Sequence, residues 1–269
     1  MVYFVATPIG NLGDISFRAV ETLKSVDIIF CEDTRHSIKL LNHYGIKKPL
    51  KSCHKFNENE ASEQIIKEAQ AGKEIAIISD AGMPVISDPG QRVCKALKDA
   101  EIPYTVVPGA NAVLSALILS GMPSDRFVFS GFLPDRTGEA KSVLEQYKNI
   151  GATLCFHCAP QDIDRTISLC HSILGDRNAC IVREITKIHE EAISFKLSEG
   201  FQGEKKGEFV LLIEGAKETE NPLNNLSVKE HILYYMKQGI DKKEAVKLVA
   251  KDRGVSKSEI YKFSIDIGE

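Results

Sequence analysis

Apolar residues along the chain fall into short runs, each closed by turn residues, and separated by stretches with the three-to-four spacing of amphipathic helices. Residues 2–6 (VYFVA), 26–31 (VDIIFC), 50–54, 74–79 and 104–107 read as strands. The run Ile75-Ala76-Ile77-Ile78 is apolar at successive positions, which predicts a strand buried on both faces, as in a parallel sheet. Helices are expected at 16–25, 37–44, 60–71, 89–100 and 113–119, with Gly45 and Gly72 as helix stops. Asp88-Pro89 reads as an N-cap followed by a first-turn proline. A strand, a small-residue loop and a helix thus follow one another after Ala6, Ser79 and Val107. That alternation predicts a doubly wound α/β domain whose loops converge on the carboxyl edge of one sheet, where ligands bind.

The pattern changes near Ser120-Gly121-Met122-Pro123. Strands are expected beyond it at 127–131, 153–156, 179–183, 192–196 and 208–214, with helices at 139–148 and 162–174, which makes a mixed α/β region. Residues 221–225 (NPLNN) have linker composition. After them, Asp241-x-x-Glu244 and Ser256-x-x-Glu259 match helix-opening capping boxes on either side of Gly254, a helix-turn-helix-like arrangement. The expected division is 1–120, 121–220 and 221–269.

The chain has 269 residues and net charge −3, so no whole-molecule field advertises nucleic acid or membrane as partner. No apolar run is long enough to cross a bilayer, and the strand-like start lacks the basic flank of a signal peptide. Seven scattered cysteines imply reduced thiols and a cytoplasmic location. Cys155-x-x-Cys158 lies on an expected strand, where residues three apart face opposite sides, which argues against a shared metal. Charge is uneven locally: residues 226–262 hold nine Lys/Arg against five Asp/Glu, an excess of four. Phosphate contact and a solvated helical face account for that excess equally well.

The loop Thr7-Pro8-Ile9-Gly10-Asn11-Leu12 matches neither the dinucleotide nor the Walker A fingerprint. Three loops of small and apolar residues suit an uncharged, adenosine-like ligand, which backbone can approach closely. The cluster Glu32-Asp33-Thr34-Arg35-His36 closes the second strand. Asp33, Glu32 and His36 are candidates for a proton acceptor, and Arg35 for a bidentate phosphate grip. The same residues also read as a helix cap with an ion pair.

In order along the chain stand VATPIGNLGDISFRA, CEDTRHS, SDAGMPVISDPG, PGANAVLSALILSGMP, FVFSGFLP, REITKIHEE and GEFVLLIEG. Together they resemble the small-subunit rRNA 2′-O-ribose methyltransferases of the tetrapyrrole methylase superfamily, over essentially the whole chain. The resemblance implies a two-domain tetrapyrrole-methylase-like fold with a C-terminal helix-turn-helix appendix. It also implies S-adenosylmethionine (SAM) in a cleft between domains, commonly a homodimer, and a cytidine ribose of small-subunit rRNA as substrate. By position, Pro8 and Ile9 would border the cofactor. Gly82, Met83 and Ile86 would hold its methionine and ribose portions, Asn111 and Ala112 would contact it from the third loop, and Cys158 and Ala159 would close over adenine. The chain departs from the family at His157-Cys158-Ala159-Pro160-Gln161-Asp162, where Tyr-Glu-Ser-Pro-His-Arg is usual, and at Lys55-Phe56, where Glu-His is common. The alternatives are a tetrapyrrole-precursor C-methyltransferase of the same fold and a ribosome assembly factor without turnover.

Overall fold

The computed structural model describes residues 1–217, 222–265 and 267. Its packing defines two compact units, Met1–Gly215 and Ala216–Glu269. The first unit begins with β1 (Val2–Val5), α1 (Phe17–Ser25), β2 (Ile28–Cys31), α2 (Thr34–His43), β3 (Leu50–Ser52), α3 (Glu58–Gln70), β4 (Ile75–Ile78), α4 (Gln91–Asp99), β5 (Tyr104–Val107) and α5 (Ala112–Ser120). All five strands are parallel, in the order β3-β2-β4-β1-β5. Alternate residues face opposite layers. Phe4, Phe30 and Ile77 pack with Ile65 of α3 and Val93 and Leu97 of α4. Val5, Ile29 and Ile78 pack with Leu23 of α1 and Leu41 of α2 on the other side. Helices on both faces explain why the central strands are apolar at successive positions.

The chain continues with β6 (Phe127–Phe132), α6 (Thr137–Tyr147), β7 (Thr153–Cys158), α7 (Ile163–Leu174), β8 (Asn178–Arg183), β9 (Glu191–Lys196) and β10 (Phe209–Ile213). They form a mixed sheet ordered β6-β7-β10-β8-β9, in which only β6 and β7 run parallel. Leu154, Phe156 and Leu211 pack against α6 and α7 through Leu144, Ile163 and Ile167. On the reverse face Cys155, Cys180 and Leu212 pack against Val113, Ala116 and Leu117 of α5. That shared core joins the two sheets. It also places Cys155 and Cys158 in different clusters, on opposite faces of β7. All seven cysteines are free.

The second unit contains α8 (Val228–Lys237), α9 (Lys242–Asp252) and α10 (Lys257–Tyr261), around Ile232, Val246, Val249 and Ile260. Asp241 and Ser256 cap α9 and α10 as expected. A third helix, α8, opens with a complete capping box of Ser227 and Glu230. Of the expected linker 221–225, residue 221 lies outside the described residues, as does the boundary at 220/221, and Pro222–Asn225 form one 3₁₀ turn.

Two local expectations are corrected. The helix after β2 begins at Thr34, so Asp33 is its N-cap and Arg35 and His36 lie in its first turn. The helix after β4 begins at Gln91, with Gly90 at the cap position, so Asp88 does not cap it. A carboxylate from another helix takes that place: Glu58 Oε1 accepts the Gly90 and Arg92 N–H groups, each at 2.9 Å.

Candidate active site

The carboxyl ends of β4, β1 and β5 are adjacent, so their three loops meet. Thr7 and Gly82 exchange two backbone bonds, Thr7 N–H to Gly82 O at 2.9 Å and Gly82 N–H to Thr7 O at 3.1 Å. Gly82 has φ +78°, and a Cβ there would lie 3.2 Å from Ile9 Cγ2 and 3.6 Å from Ala110 O. Only glycine accepts both the left-handed backbone and that closeness. Two further residues of this segment, Val85 (φ 77°) and Ser87 (φ 69°), hold left-handed conformations that disfavour side chains. Such strain persists where surrounding structure enforces it, and it clusters at ligand sites.

These loops and the second sheet enclose a cavity of about 430 Å³. From the first sheet come Ile9, Gly82, Met83, Ile86, Asn111 and Ala112. From β7 and its end come His157, Cys158 and Ala159, and from β10 and the residue before it Glu208, Phe209 and Val210. The positions singled out from the resemblance therefore line one space, except Pro8, which is buried outside the lining. Asn111 also caps α5, its Oδ1 accepting the Leu114 N–H at 3.0 Å. That bond leaves the amide NH₂ available to a ligand.

Phe132, Ile185 and the start of β10 join the lining without having been foreseen. A bulge between Phe129 and Phe132, with Gly131 at φ +67°, brings Phe132 opposite His157. The His157 ring meets Phe129 edge-on at 5.1 Å and Phe132 at 5.3 Å. Burial pulls its pKa down, against the pull of Glu208. The Cys158 thiol is pushed up to about 11 by burial, so it is a neutral wall rather than a thiolate.

The acidic residues divide into two sets. Asp33 Oδ1 accepts the Arg35 backbone N–H at 2.8 Å, and Arg35 Nη2 donates to Asp33 Oδ2 at 2.7 Å. The Arg35 side chain holds the Asp33 carboxyl at about 2, and neither residue lines the cavity, nor do Glu32 and His36. Asp88 does line it. Burial first, then the charges of Glu32 and Asp80, raise its carboxyl to about 6, with a Ser79 hydrogen bond opposing. Glu32 is raised by burial and by Asp80, while His54 opposes. Asp80 is tied down, its Oδ1 accepting the Asp33 N–H at 3.1 Å. Nothing local in Ser87-Asp88-Pro89 signals this role, because Asp-Pro before a helix has the pattern of a cap.

Arg183, in the expected REITKIHEE stretch, is buried and pairs with Glu191 and with Glu204 at 2.9 Å. Glu184 (φ 50°) accepts the Glu208 N–H at 2.9 Å and the Lys187 Nζ at 3.0 Å. This network holds the start of β10 against the cavity.

The family model for Tetrapyrrole (Corrin/Porphyrin) Methylases matches residues 1–199. Ribosomal RNA small subunit methyltransferase I of Bacillus subtilis is 44% identical over 97% of this chain and 92% of its own length. The protein of that name from Halalkalibacterium halodurans is 44% identical over 97% and 93%. Among solved structures, the uroporphyrin-III-C-methyltransferase of Thermus thermophilus superposes with a TM-score of 0.58 at 16% identity, covering 79% of this chain and 93% of that one. That likeness is one of fold, whereas the near-full-length identities are close enough to fix kinship. The chain belongs to the tetrapyrrole methylase family and, within it, to the group of ribosomal RNA small subunit methyltransferase I.

Proposed function

We propose that this protein transfers the methyl group of SAM to the ribose 2′-oxygen of a cytidine in small-subunit rRNA, with Asp88 as proton acceptor. The observation that carries the reading is near-full-length identity of 44% with a protein named for small-subunit rRNA methylation. The cavity fits the donor: its walls are mostly apolar, Gly82 leaves backbone open to a ligand, and Asn111 offers an amide. Gly82, Met83, Ile86, Asn111, Ala112, Cys158 and Ala159 would hold it, with Ile9 and Pro8 shaping the first loop. We treat 1–120 and 121–220 as two lobes about this cavity, with 221–269 as an appendage.

When bound, SAM supplies a methyl group already activated on a sulfonium that leaves as a neutral thioether. The chain must hold the ribose oxygen in line and remove its proton. Asp88 faces the cavity with a carboxyl poised near 6, ionised at neutral pH and basic enough to accept a proton. Asp33, at about 2 and engaged by Arg35, is a poor base, and its pairing instead fixes Arg35 for a substrate phosphate.

Two partner assignments belong to the same reading. α5 is apolar on all sides, and although Val113 and Leu117 are buried, Leu114, Ile118 and Leu119 are exposed. We propose that a second copy of the chain covers that exposed apolar face, making the protein a homodimer. In the second unit Lys237, Lys243, Lys251, Lys257 and Lys262 are exposed and make no ion pair among the described residues, which supports phosphate contact. No helix among the described residues is long and apolar enough to cross a membrane, and we place the protein with ribosomes in the cytoplasm.

The test is incubation of the purified protein with methyl-labelled SAM and small subunits, followed by nucleoside analysis. Label in 2′-O-methylcytidine is expected. SAM binding with no label in RNA overturns the reading and favours the assembly-factor alternative.

A further inference from the structure

Residues 53–57 leave β3 at the same sheet edge as the acidic segments after β2 and β4. Asn57 pins this loop: its Oδ1 accepts the His54 N–H at 2.7 Å, and its Nδ2 donates to Ser52 O at 3.1 Å and Ser52 Oγ at 3.2 Å. At its tip Phe56 is 93% exposed. A lone exposed apolar residue means little by itself. Here the surroundings give it meaning. The His54 ring meets Phe56 edge-on with centroids 6.2 Å apart, and His54 also acts electrostatically on Glu32. Two residues beyond Phe56, Glu58 holds Gly90 and Arg92, just past Asp88. The Cys53 N–H also donates to Cys31 O at 2.8 Å, so the loop is fastened between the Glu32 segment and the Asp88 segment. Lys55 is exposed beside Phe56, and the Arg35 side chain is 89% exposed on the neighbouring segment.

An aromatic face on a pinned loop, with Lys55 beside it and Arg35 on the adjacent segment, fits one partner chemistry. Unstacked bases of single-stranded RNA stack on aromatic side chains while their phosphates meet Lys and Arg. A nucleotide whose ribose enters a cavity leaves its own stack, and a new flat surface offsets that loss. We infer that Phe56 is the stacking platform for a nucleobase of the substrate RNA, at or beside the methylated ribose, with Lys55 and Arg35 contacting the adjacent phosphates. The inference rests on the rRNA-methyltransferase reading above.

The chain contains no tryptophan, so Phe56→Trp places a single reporter at the platform. Its emission is expected to be quenched, to saturation, by a short single-stranded oligocytidine RNA and left unchanged by the same strand in a duplex. Phe56→Ala is expected to raise KM for small subunits by about tenfold, with SAM affinity and Tm unchanged, while Phe56→Trp and Phe56→Tyr keep the wild-type KM. An unquenched indole at RNA concentrations that saturate binding, or a wild-type KM in Phe56→Ala, overturns the platform. So does a Phe56→Ala defect confined to assembled subunits with no response of the indole to free RNA, which assigns the face to a ribosomal protein. Failure of the wild-type protein to methylate rRNA overturns the underlying reading instead, so the two failures are distinct.

Discussion

The segments after β2 and β4 leave adjacent strands at one sheet edge, and both are acidic, yet their carboxylates sit in opposite environments. In the first, Asp33 meets a backbone N–H and a guanidinium at once, and its charge is stabilised. In the second, Asp88 faces the cavity, and burial first, then the like charges of Glu32 and Asp80, disfavour its ionised form. A carboxylate satisfied by local partners is a structural group. One held short of satisfaction at a cavity wall can accept a proton. With Asp88 proposed as the base, the contrast implies that position at a cleft edge does not select one; the partners left unfilled do.

The strongest way to break this contrast is Asp88→Asn. Removing a positioned base should lower kcat by about 10²–10³-fold, with SAM affinity retained. In the wild type, kcat should rise with pH through about 6 as Asp88 ionises, and the variant should lose that inflection. Stability should move the other way. The folded carboxyl titrates near 6 instead of its ordinary 3.8, so stability falls as pH rises between those values. Asp88→Asn should therefore have a higher Tm than wild type at pH 7 and no advantage below pH 4. A lower Tm at pH 7 would return Asp88 to a structural role.

The second test forces a side chain into the tight turn that shapes the Asp88 segment. Gly90 has φ +131°, and a Cβ there would lie 2.9 Å from Val85 Cγ2. Gly90→Ala should destabilise the protein by about 2 kcal/mol, read by denaturant unfolding, and should weaken SAM binding through Val85 and Ser87. A third, smaller effect is expected from Glu58→Ala. It frees the Gly90 and Arg92 N–H groups and should reduce stability by about 1 kcal/mol, with Glu58→Gln largely restoring it.

These substitutions also mark what the sequence made legible. The strands of the first sheet were readable because Ile75–Ile78 and its neighbours are short runs, apolar at successive positions and bounded by turn residues, the pattern of strands in a doubly covered sheet. Met83, Asn111 and Ala159 were placed through motifs, and they line one cavity. Asp88 was misread as a cap because the group that performs that function, Glu58, is more than thirty residues away, beyond the reach of local pattern. Phe132 depends on a bulge, and residues 207–210 reach the cavity through antiparallel pairing of β10 with β7, both non-local events. The charged cluster at 32–36 was left between base and cap. Its helical start at Thr34 and the Arg35 pairing supply the cap in geometry.

The smallest expected effect is that of Asp33→Ala, and it sharpens the comparison from the other side. The Asp33 carboxyl is held at about 2, below its ordinary 3.8, so its contribution to stability is present above pH 4 and is lost as pH falls toward 2. The variant should therefore melt slightly below wild type at pH 7, since an exposed, screened pair contributes little, and the gap should narrow in acid. Its kcat at saturating subunits should stay within about threefold of wild type, because no proton-transfer group is removed. KM for subunits should rise, since Arg35 loses the carboxylate that orients it. A hundredfold fall in kcat, with Asp88→Asn near normal, would exchange the roles of the two segments. Measuring both variants at pH 7 and at pH 5.5 separates the cases, because only a base titrating near 6 makes the wild-type rate fall between those two conditions.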